Sequence, residues 1–200
     1  MNDIVLFGCG GHSRSVADVI LHNNPLENLL FVDSGAKNNE TIFGFDVRPE
    51  IYLHTGTKCL VCIGENALRK DKYDELGDAN IISVVSKLAY LGKNVTIGRG
   101  TFIAHACHLG PDVTLGENTI INTGAVIDHE VKIGSHTHIG PNATISGRTI
   151  IGDSVLIGMA ACVVDNISIC SNVTIGANST VIRSILEPGT YVGSPVRRVK

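Results

Sequence analysis

Two hundred residues with 44% hydrophobic content, 19 acidic against 16 basic side chains and a net charge of -3 describe a globular chain of one or two domains. No apolar run approaches the roughly 18 residues of a membrane span, and MNDIVLFGCGG lacks the basic stretch and cleavage site of a signal peptide, so a cytoplasmic protein without membrane insertion is expected. Four Tyr, five Phe, no Trp and the mildly acidic balance argue against nucleic acid as a partner.

Ile4 to Phe7 is an aliphatic run that meets Gly8-Cys9-Gly10-Gly11-His12 and then SRSVADVILHN, whose apolar residues Val16, Val19 and Ile20 have helical spacing. This predicts a strand, a glycine turn and a helix. A second run, Leu29 to Val32, ends at Asp33, and a third, Cys59 to Ile63, ends at Gly64-Glu65-Asn66 before the charged segment ALRKDKYDEL. The order β-α-β, then strand and helix again, reads as a small parallel sheet of Rossmann type. A glycine turn at a helix start lets backbone N–H groups approach phosphate, and Asp33 stands where an acid meets a ribose hydroxyl, so both point to a nucleotide. GCGGHS lacks the third glycine of the dinucleotide fingerprint, and the subdomain has only one of the two halves a dinucleotide uses. A tight structural turn therefore stays open beside a mononucleotide site. Cys59 and Cys62 form a CxxC inside an apolar run, where residues three apart on a strand face opposite sides; buried thiols are expected, not a metal or redox pair. Ile81 to Val85 reads as the last strand of this sheet and Ser86 to Asn94 as a connection. With no Pro- or Ser-rich linker there, the two parts are expected to pack as one rigid unit.

From Val95 to Ser184 the chain divides without remainder into fifteen six-residue units, each with an aliphatic third residue, from Ile97 and Ile103 to Ile175 and Val181. Period six is neither 3.6 nor 2 and signals a solenoid. If each hexad is a short strand and a bend, three hexads close one triangular turn, residues eighteen apart stack, and the aliphatics fill the prism. Glycine follows the aliphatic at positions such as Gly98, Gly140 and Gly158, where the bend is expected to need φ values that side chains oppose.

Five of the eight histidines lie in the repeat: His105, His108, His129, His136 and His138. His129 is the most informative. It sits two residues beyond the core residue Ile127, near a bend, and the position stacked on it is Gly147, which leaves room above an imidazole. An imidazole there can act as a base near neutral pH, and Glu130 or Asp128 is placed to orient it. The tail adds Arg197, Arg198 and Lys200 beyond Gly193-Ser194-Pro195, a cationic end suited to phosphate groups.

The hexad pattern resembles the left-handed parallel β-helix of the hexapeptide-repeat acyltransferases, and that resemblance supplies the hand, since crossover chirality alone favours the right. With Gly8-x-x-Gly11-His12, the Ile127-x-His129-Glu130 segment and the terminal YVGSPVRRVK, nearly the whole chain resembles bacterial UDP-4-amino-sugar N-acetyltransferases and sialic-acid O-acetyltransferases. The resemblance implies an α/β Rossmann-like nucleotide-sugar-binding subdomain over residues 1–86 and an all-β left-handed parallel β-helix over 87–200, ending in a coenzyme A-binding tail. It implies a homotrimer with active sites between subunits and acetyl-CoA as acyl donor. His129 is then the general base and Glu130 raises its basicity. His138 contacts acetyl-CoA, and Gly147, Met159 and Ala177 line the pantetheine arm, Ala177 standing where the family often has glycine. Gly10, Gly11, His12, Asp33, Ser34 and Gly64 would hold the nucleotide-sugar, with Asp33-Ser34 where some relatives carry two acids. The expected reaction is N-acetylation of a UDP-4-amino-4,6-dideoxy sugar, with a sialic-acid-type hydroxyl as the alternative acceptor. A non-catalytic trimeric scaffold is the rival from another class. The γ-type carbonic anhydrases share the prism, but no two repeat histidines here are 36 residues apart, and no metal is expected.

Overall fold

The computed structural model describes residues 3–200. Strand β1 (Ile4–Phe7) leads into helix α1 (Gly11–Asn23), followed by β2 (Leu29–Val32), β3 (Thr41–Ile42), β4 (Phe45–Arg48), β5 (Lys58–Val61), α2 (Asn66–Leu76) and β6 (Asn80–Ile81). They form one sheet in the order β3-β4-β2-β1-β5-β6, parallel throughout except for the β3–β4 hairpin. Burial on both faces explains the continuous aliphatic runs. Ile4 and Leu6 pack with Val16, Val19 and Ile20 of α1, while Val5 and Phe7 point the other way, onto Tyr73 of α2. Cys59 and Cys62 divide between the same two clusters, and both are free thiols that burial pushes up, Cys59 to about 11.

The hairpin was not anticipated. Its turn residues Phe43 and Gly44 both have positive φ, 54° and 84°. That is the geometry of a two-residue primed turn, which normally advertises itself as Asn-Gly or Gly-Gly; a phenylalanine in the first position hides it.

From Val84 to Val181 the chain is a prism of strands of two, once three, residues recurring every six residues, closed by Gly189–Val192 and the antiparallel Arg197–Arg198. Each pairs in parallel with the strand eighteen residues on, as in Phe102↔Ile120, His108↔Val126 and Thr114↔Lys132. Three such columns make three flat faces of the expected left-handed β-helix. Third-position aliphatics fill the interior: Ile103, Leu109, Ile121, Ile127, Ile139, Ile145, Ile157, Ile175 and Val181 are each 0% exposed.

Two expectations are corrected. Val84–Val85 is not the last strand of the N-terminal sheet; it pairs with Phe102–Ile103 and opens the first column of the prism, and Tyr90–Leu91 opens the second. SVVSKL and AYLGKN are thus two further repeat units whose third residues are Val85 and Leu91, and the β-branched Val84–Val85 suits either sheet. Second, the left-handed backbone falls on the sixth residue of each hexad, not on the glycine after the aliphatic. Every sixth position from Asn94 to Asn178 has φ between +52° and +72°, Glu130 and Arg148 among them. The glycines after the aliphatic are needed because one coil lies close on the next: a Cβ on Gly158 would come within 2.5 Å of the Ala177 nitrogen.

The N-terminal domain sits on the face that begins with Val84–Val85. Asn23 Nδ2 donates to the Val85 carbonyl at 2.7 Å, Asn66 Nδ2 to Val155 at 3.0 Å, and Tyr73 Oη to Glu117 Oε2 at 2.8 Å. One hydrophobic core runs through both parts, joining Leu6 and Val16 to Phe102 and Ile120, as the absence of a linker suggests.

Candidate active site

Val126–Ile127 belongs to one face and Lys132–Ile133 to the next, so His129 lies on the edge between them. Its backbone N–H donates to Asp128 Oδ1 at 2.7 Å, a bond between neighbouring residues at the corner. Its ring Nδ1 lies 2.9 Å from Glu130 Oε2, and Nε2 lies 4.0 Å from Asp128 Oδ2. Against an ionised carboxylate Nδ1 carries the proton, which leaves the Nε2 lone pair to accept one. Gly147 lies directly over the ring: a Cβ there would meet Cε1 at 2.6 Å and Nε2 at 2.7 Å. Arg148, with the same left-handed backbone one coil up, bridges Glu130 at 3.8 Å and Asp165 at 3.7 Å. The His129 side chain is 39% exposed, so the ring is held in place yet open to a ligand.

The nucleotide candidates gather at the carboxyl ends of β1, β2 and β5, where open α/β sheets bind ligands. Gly8 is a structural glycine, with φ +112° and Cys62 O 3.0 Å from where its Cβ would be. Gly10 and Gly11 are different: a Cβ on either would meet nothing within 4 Å, so nothing inside the chain requires glycine there. Gly10 caps α1 without a side-chain hydrogen bond, leaving the first N–H groups of a 13-residue helix available to an anion. Asp33 accepts the N–H groups of Cys9 (3.0 Å) and Gly35 (2.9 Å), and the Gly35 bond foremost holds its carboxyl below the usual range. Ser34 is exposed beside it.

His12 and His138 meet where the domains join, their ring centroids 6.3 Å apart. His138 Nδ1 donates to the Gly64 carbonyl at 3.1 Å, and Asn122 Nδ2 donates to Nε2 at 3.1 Å, so the ring is neutral with both nitrogens engaged. His12 Nε2 is buried without a partner. Burial lowers His138 from 6.5 to about 4, helped by Arg69, and lowers His12 to about 3, helped by His138 and Arg69. For a histidine whose folded pKa is depressed, stability is full above the unfolded value and is lost as pH falls toward the folded one. The melting temperature is therefore expected to drop between pH 6.5 and 4, and His138→Gln to flatten that slope; an identical slope in the variant would contradict the assignment.

A cleft of about 400 Å³ opens beside His138, between Gly64, Asn66 and Lys70 at the start of α2 and Leu156 and Thr174 on the prism. Met159 and Ala177 lie exposed and stacked on another edge than Gly147. Arg198 is tied down, with Nη1 2.6 Å from Glu187 Oε2 and Nη2 donating to the Pro188 carbonyl at 2.9 Å; Arg197 is exposed next to it. The other repeat histidines have partners of their own. His105 bonds Ser86 Oγ at 2.6 Å and faces Asp18, His108 stacks on Tyr90, and His136 bonds Asn118 at 2.9 Å. Sequence reading missed Asn66, Arg69 and Asn122, which fix Gly64 and His138 through backbone and amide contacts that leave no spacing signal.

Within one chain the structure does not bring the two halves together. The N-terminal domain and His138 occupy one face of the triangular prism, and His129 lies on the edge opposite that face.

Residues 3–76 match the PglD N-terminal domain, and residues 94–129 and 112–147 match the bacterial transferase hexapeptide of six repeats. An uncharacterised protein of Acanthamoeba polyphaga mimivirus is 32% identical over 103 residues, 50% of this chain and 21% of the relative's length. Among solved structures, the chain is similar to the acetyltransferase domain of PglB from Neisseria gonorrhoeae, with 24% identity, a TM-score of 0.94 and 100% of both chains covered. PerB from Caulobacter crescentus, in complex with CoA and GDP-perosamine, gives 24% identity and a TM-score of 0.91 over 100% of this chain and 98% of its own. WeeI from Acinetobacter baumannii gives 21% and 0.90 over 98% and 99%. These likenesses carry the fold, and two segments of the chain are similar to the PglD N-terminal domain and to the bacterial transferase hexapeptide.

Proposed function

We propose that the protein is an acetyl-CoA-dependent N-acetyltransferase acting on the amine of a UDP-4-amino-4,6-dideoxy sugar. The observation that carries this is the His129–Glu130 pair, 2.9 Å apart on the prism edge under Gly147. His129 Nε2 takes the proton of the acceptor amine as its nitrogen attacks the thioester carbon. Glu130 holds the Nδ1 proton and stabilises the imidazolium that forms. When the tetrahedral intermediate collapses, the carbon–sulfur bond breaks and the imidazolium returns its proton to the departing thiolate. The names of the fold's neighbours support the class: PglB is an acetyltransferase whose domain was solved with acetyl coenzyme A, and PerB holds CoA and a nucleotide-linked sugar.

The proposal includes a homotrimer. A base on one edge and a nucleotide-type crevice over the opposite face serve one reaction only if the crevice of one protomer faces the edge of its neighbour. The groove between two prisms would then take the pantetheine arm against Gly147, Met159 and Ala177, with His138, Arg197 and Arg198 toward the coenzyme. Gly10, Gly11, His12, Asp33, Ser34 and Gly64 would hold the nucleotide-sugar.

Free thiol release from acetyl-CoA is the test, with UDP-, dTDP- and GDP-linked 4-amino sugars and sialic acids as acceptors. The UDP-linked amine is expected to give the fastest release. Release with sialic acid alone would replace this reading by O-acetylation, and none with any acceptor would leave the scaffold.

A further inference from the structure

Acetyl transfer to an amine leaves one proton over. An alkylamine, like that of lysine with its ordinary value of about 10.4, arrives at neutral pH as an ammonium ion, whose nitrogen has no lone pair to attack with. It sheds two protons on the way to the amide. The thiolate recovers one of them through His129, and His129 Nε2 holds no more than one at a time. A hydroxyl acceptor has a single proton to lose, which the thiolate recovers, so only an amine calls for a second proton acceptor beside the base.

Asp128 stands where that acceptor is wanted. Its Oδ2 lies 4.0 Å from His129 Nε2, too long for a direct hydrogen bond, so the carboxylate is not spent on the ring. One nitrogen bonded to both atoms at about 2.9 Å fits that gap with an angle of about 90° between the two bonds. The other oxygen, Oδ1, accepts the His129 N–H at 2.7 Å and fixes the carboxylate at the corner. The remaining charges on this edge are Lys93, Asp112, Glu130, Arg148 and Asp165, stacked coil on coil. Arg148 is taken up between Glu130 and Asp165, and Asp112 Oδ1 accepts from Asn94 Nδ2 at 2.9 Å. Among the described residues no Lys or Arg comes within ion-pair distance of Asp128, and its side chain is 51% exposed. A fixed carboxylate without a cation, beside the free ring nitrogen and open to solvent, is complementary to an ammonium group.

We propose that Asp128 is a second catalytic carboxylate, which receives the acceptor as an ammonium ion, takes the proton that His129 cannot hold, and fits the site to an amine rather than a hydroxyl. The inference rests on the acetyl-transfer reading above and assigns a residue and an acceptor class within it. One N–H bond of the ammonium breaks as an O–H bond forms at Asp128 Oδ2, and the electron pair left on nitrogen attacks the thioester carbon. The second N–H proton passes to His129 Nε2 and on to the departing thiolate. Asp128 gives its proton to water through its exposed side. Ammonium and acetyl-CoA thus become amide, free thiol and one released proton. In the sequence Asp128 and Glu130 flank the histidine and look interchangeable; the structure sets them against different ring nitrogens.

Asp128→Asn removes the charge and keeps Oδ1 for the corner bond, so an unchanged melting temperature is expected. Calorimetric titration of the full-length protein, without acyl donor, compares the nucleotide-linked 4-amino sugar that turns over fastest with its 4-hydroxy counterpart. The parent is expected to bind the amino sugar more tightly by about tenfold or more, the worth of a charge-assisted hydrogen bond, and the variant to bind the two alike. In thiol release at about pH 6.5 the variant should lose about tenfold or more in kcat/KM, a loss that shrinks as rising pH delivers the amine already neutral. Equal activity of variant and parent overturns the assignment. So does a loss of the same size at every pH, or an equal weakening of the amino and hydroxy sugars, since either marks a carboxylate that only shapes the corner. Faster release with a hydroxyl than with an amine overturns it as well. A parent that releases no thiol with any acceptor fails the acetyl-transfer reading itself, whereas an active parent with an unaffected variant fails this inference alone.

Discussion

His129→Ala is expected to lower kcat/KM for acetyl transfer by about 10²–10⁴, the usual contribution of a positioned general base, while leaving folding and assembly intact. The asymmetry follows from where the residue sits. Its side chain is 39% exposed and fills no part of the core, which runs through Ile127 and Ile145 behind it. The corner turn is held by backbone and by Asp128, whose bond is to the His129 N–H and survives the change. What is lost is the Nε2 lone pair, left free because Nδ1 is engaged by Glu130. Glu130→Gln is the milder companion, keeping chain length and the left-handed backbone at φ +60° but removing the negative charge that stabilises the imidazolium. A smaller fall than for His129→Ala, confined to kcat, is expected. Steady-state kinetics with thiol detection, beside light scattering for assembly, check both. Retention of more than about a tenth of the activity in His129→Ala would remove the base assignment.

The prism was legible because its signal is redundant: one aliphatic every six residues tolerates a glycine here or a cysteine there without losing register. The same register located the candidate base, since stacking at eighteen residues puts Gly147 over His129, and in the structure a Cβ added at 147 would strike that ring at 2.6 Å. Register also carried the two added units before Val95, but Val84–Val85 is β-branched and adjacent to a real strand, so local composition favoured the wrong sheet. The left-handed corners were misplaced for a related reason. Glycine is the usual mark of positive φ, whereas here asparagine, alanine, glutamate and arginine adopt it and most glycines answer to steric closeness between coils. Least legible was everything that depends on which prism face the first domain covers. Hexad phase places His129 on an edge, yet nothing in the spacing says that Gly64, His12 and His138 meet over the opposite face. That information is held by side chains bonded to backbone carbonyls, of which Arg69 is the extreme case.

Arg69→Met is expected to destabilise the protein by about 2–5 kcal/mol, a drop of roughly 5–15 °C in melting temperature for a chain of this size. The direction is not obvious, because Arg69 is 1% exposed and faces no carboxylate within salt-bridge distance among the described residues. Burial lowers its pKa from 12.5 to about 10, so removing the charge relieves about 3 kcal/mol of desolvation. Against this stand the groups it satisfies. Nε donates to Asn118 O at 3.1 Å, Nη1 to Ile63 O and Gly64 O at 3.2 Å each, and Nη2 to His136 O at 2.8 Å and Asn66 Oδ1 at 2.7 Å. Losing five charge-assisted bonds, and leaving several buried carbonyls without their donor at about 1–3 kcal/mol each, outweighs the relief. Arg69→Lys, with one nitrogen in place of a fork, should fall between the two. Thermal unfolding at pH 7 reads the effect, and equal stability of Arg69→Met and the parent would show that desolvation dominates. Function separates this residue from the base. Arg69 clamps the Gly64 loop to the prism and never reaches the His129 edge, so at temperatures well below melting the variant should lose affinity for nucleotide before it loses turnover, the reverse of His129→Ala.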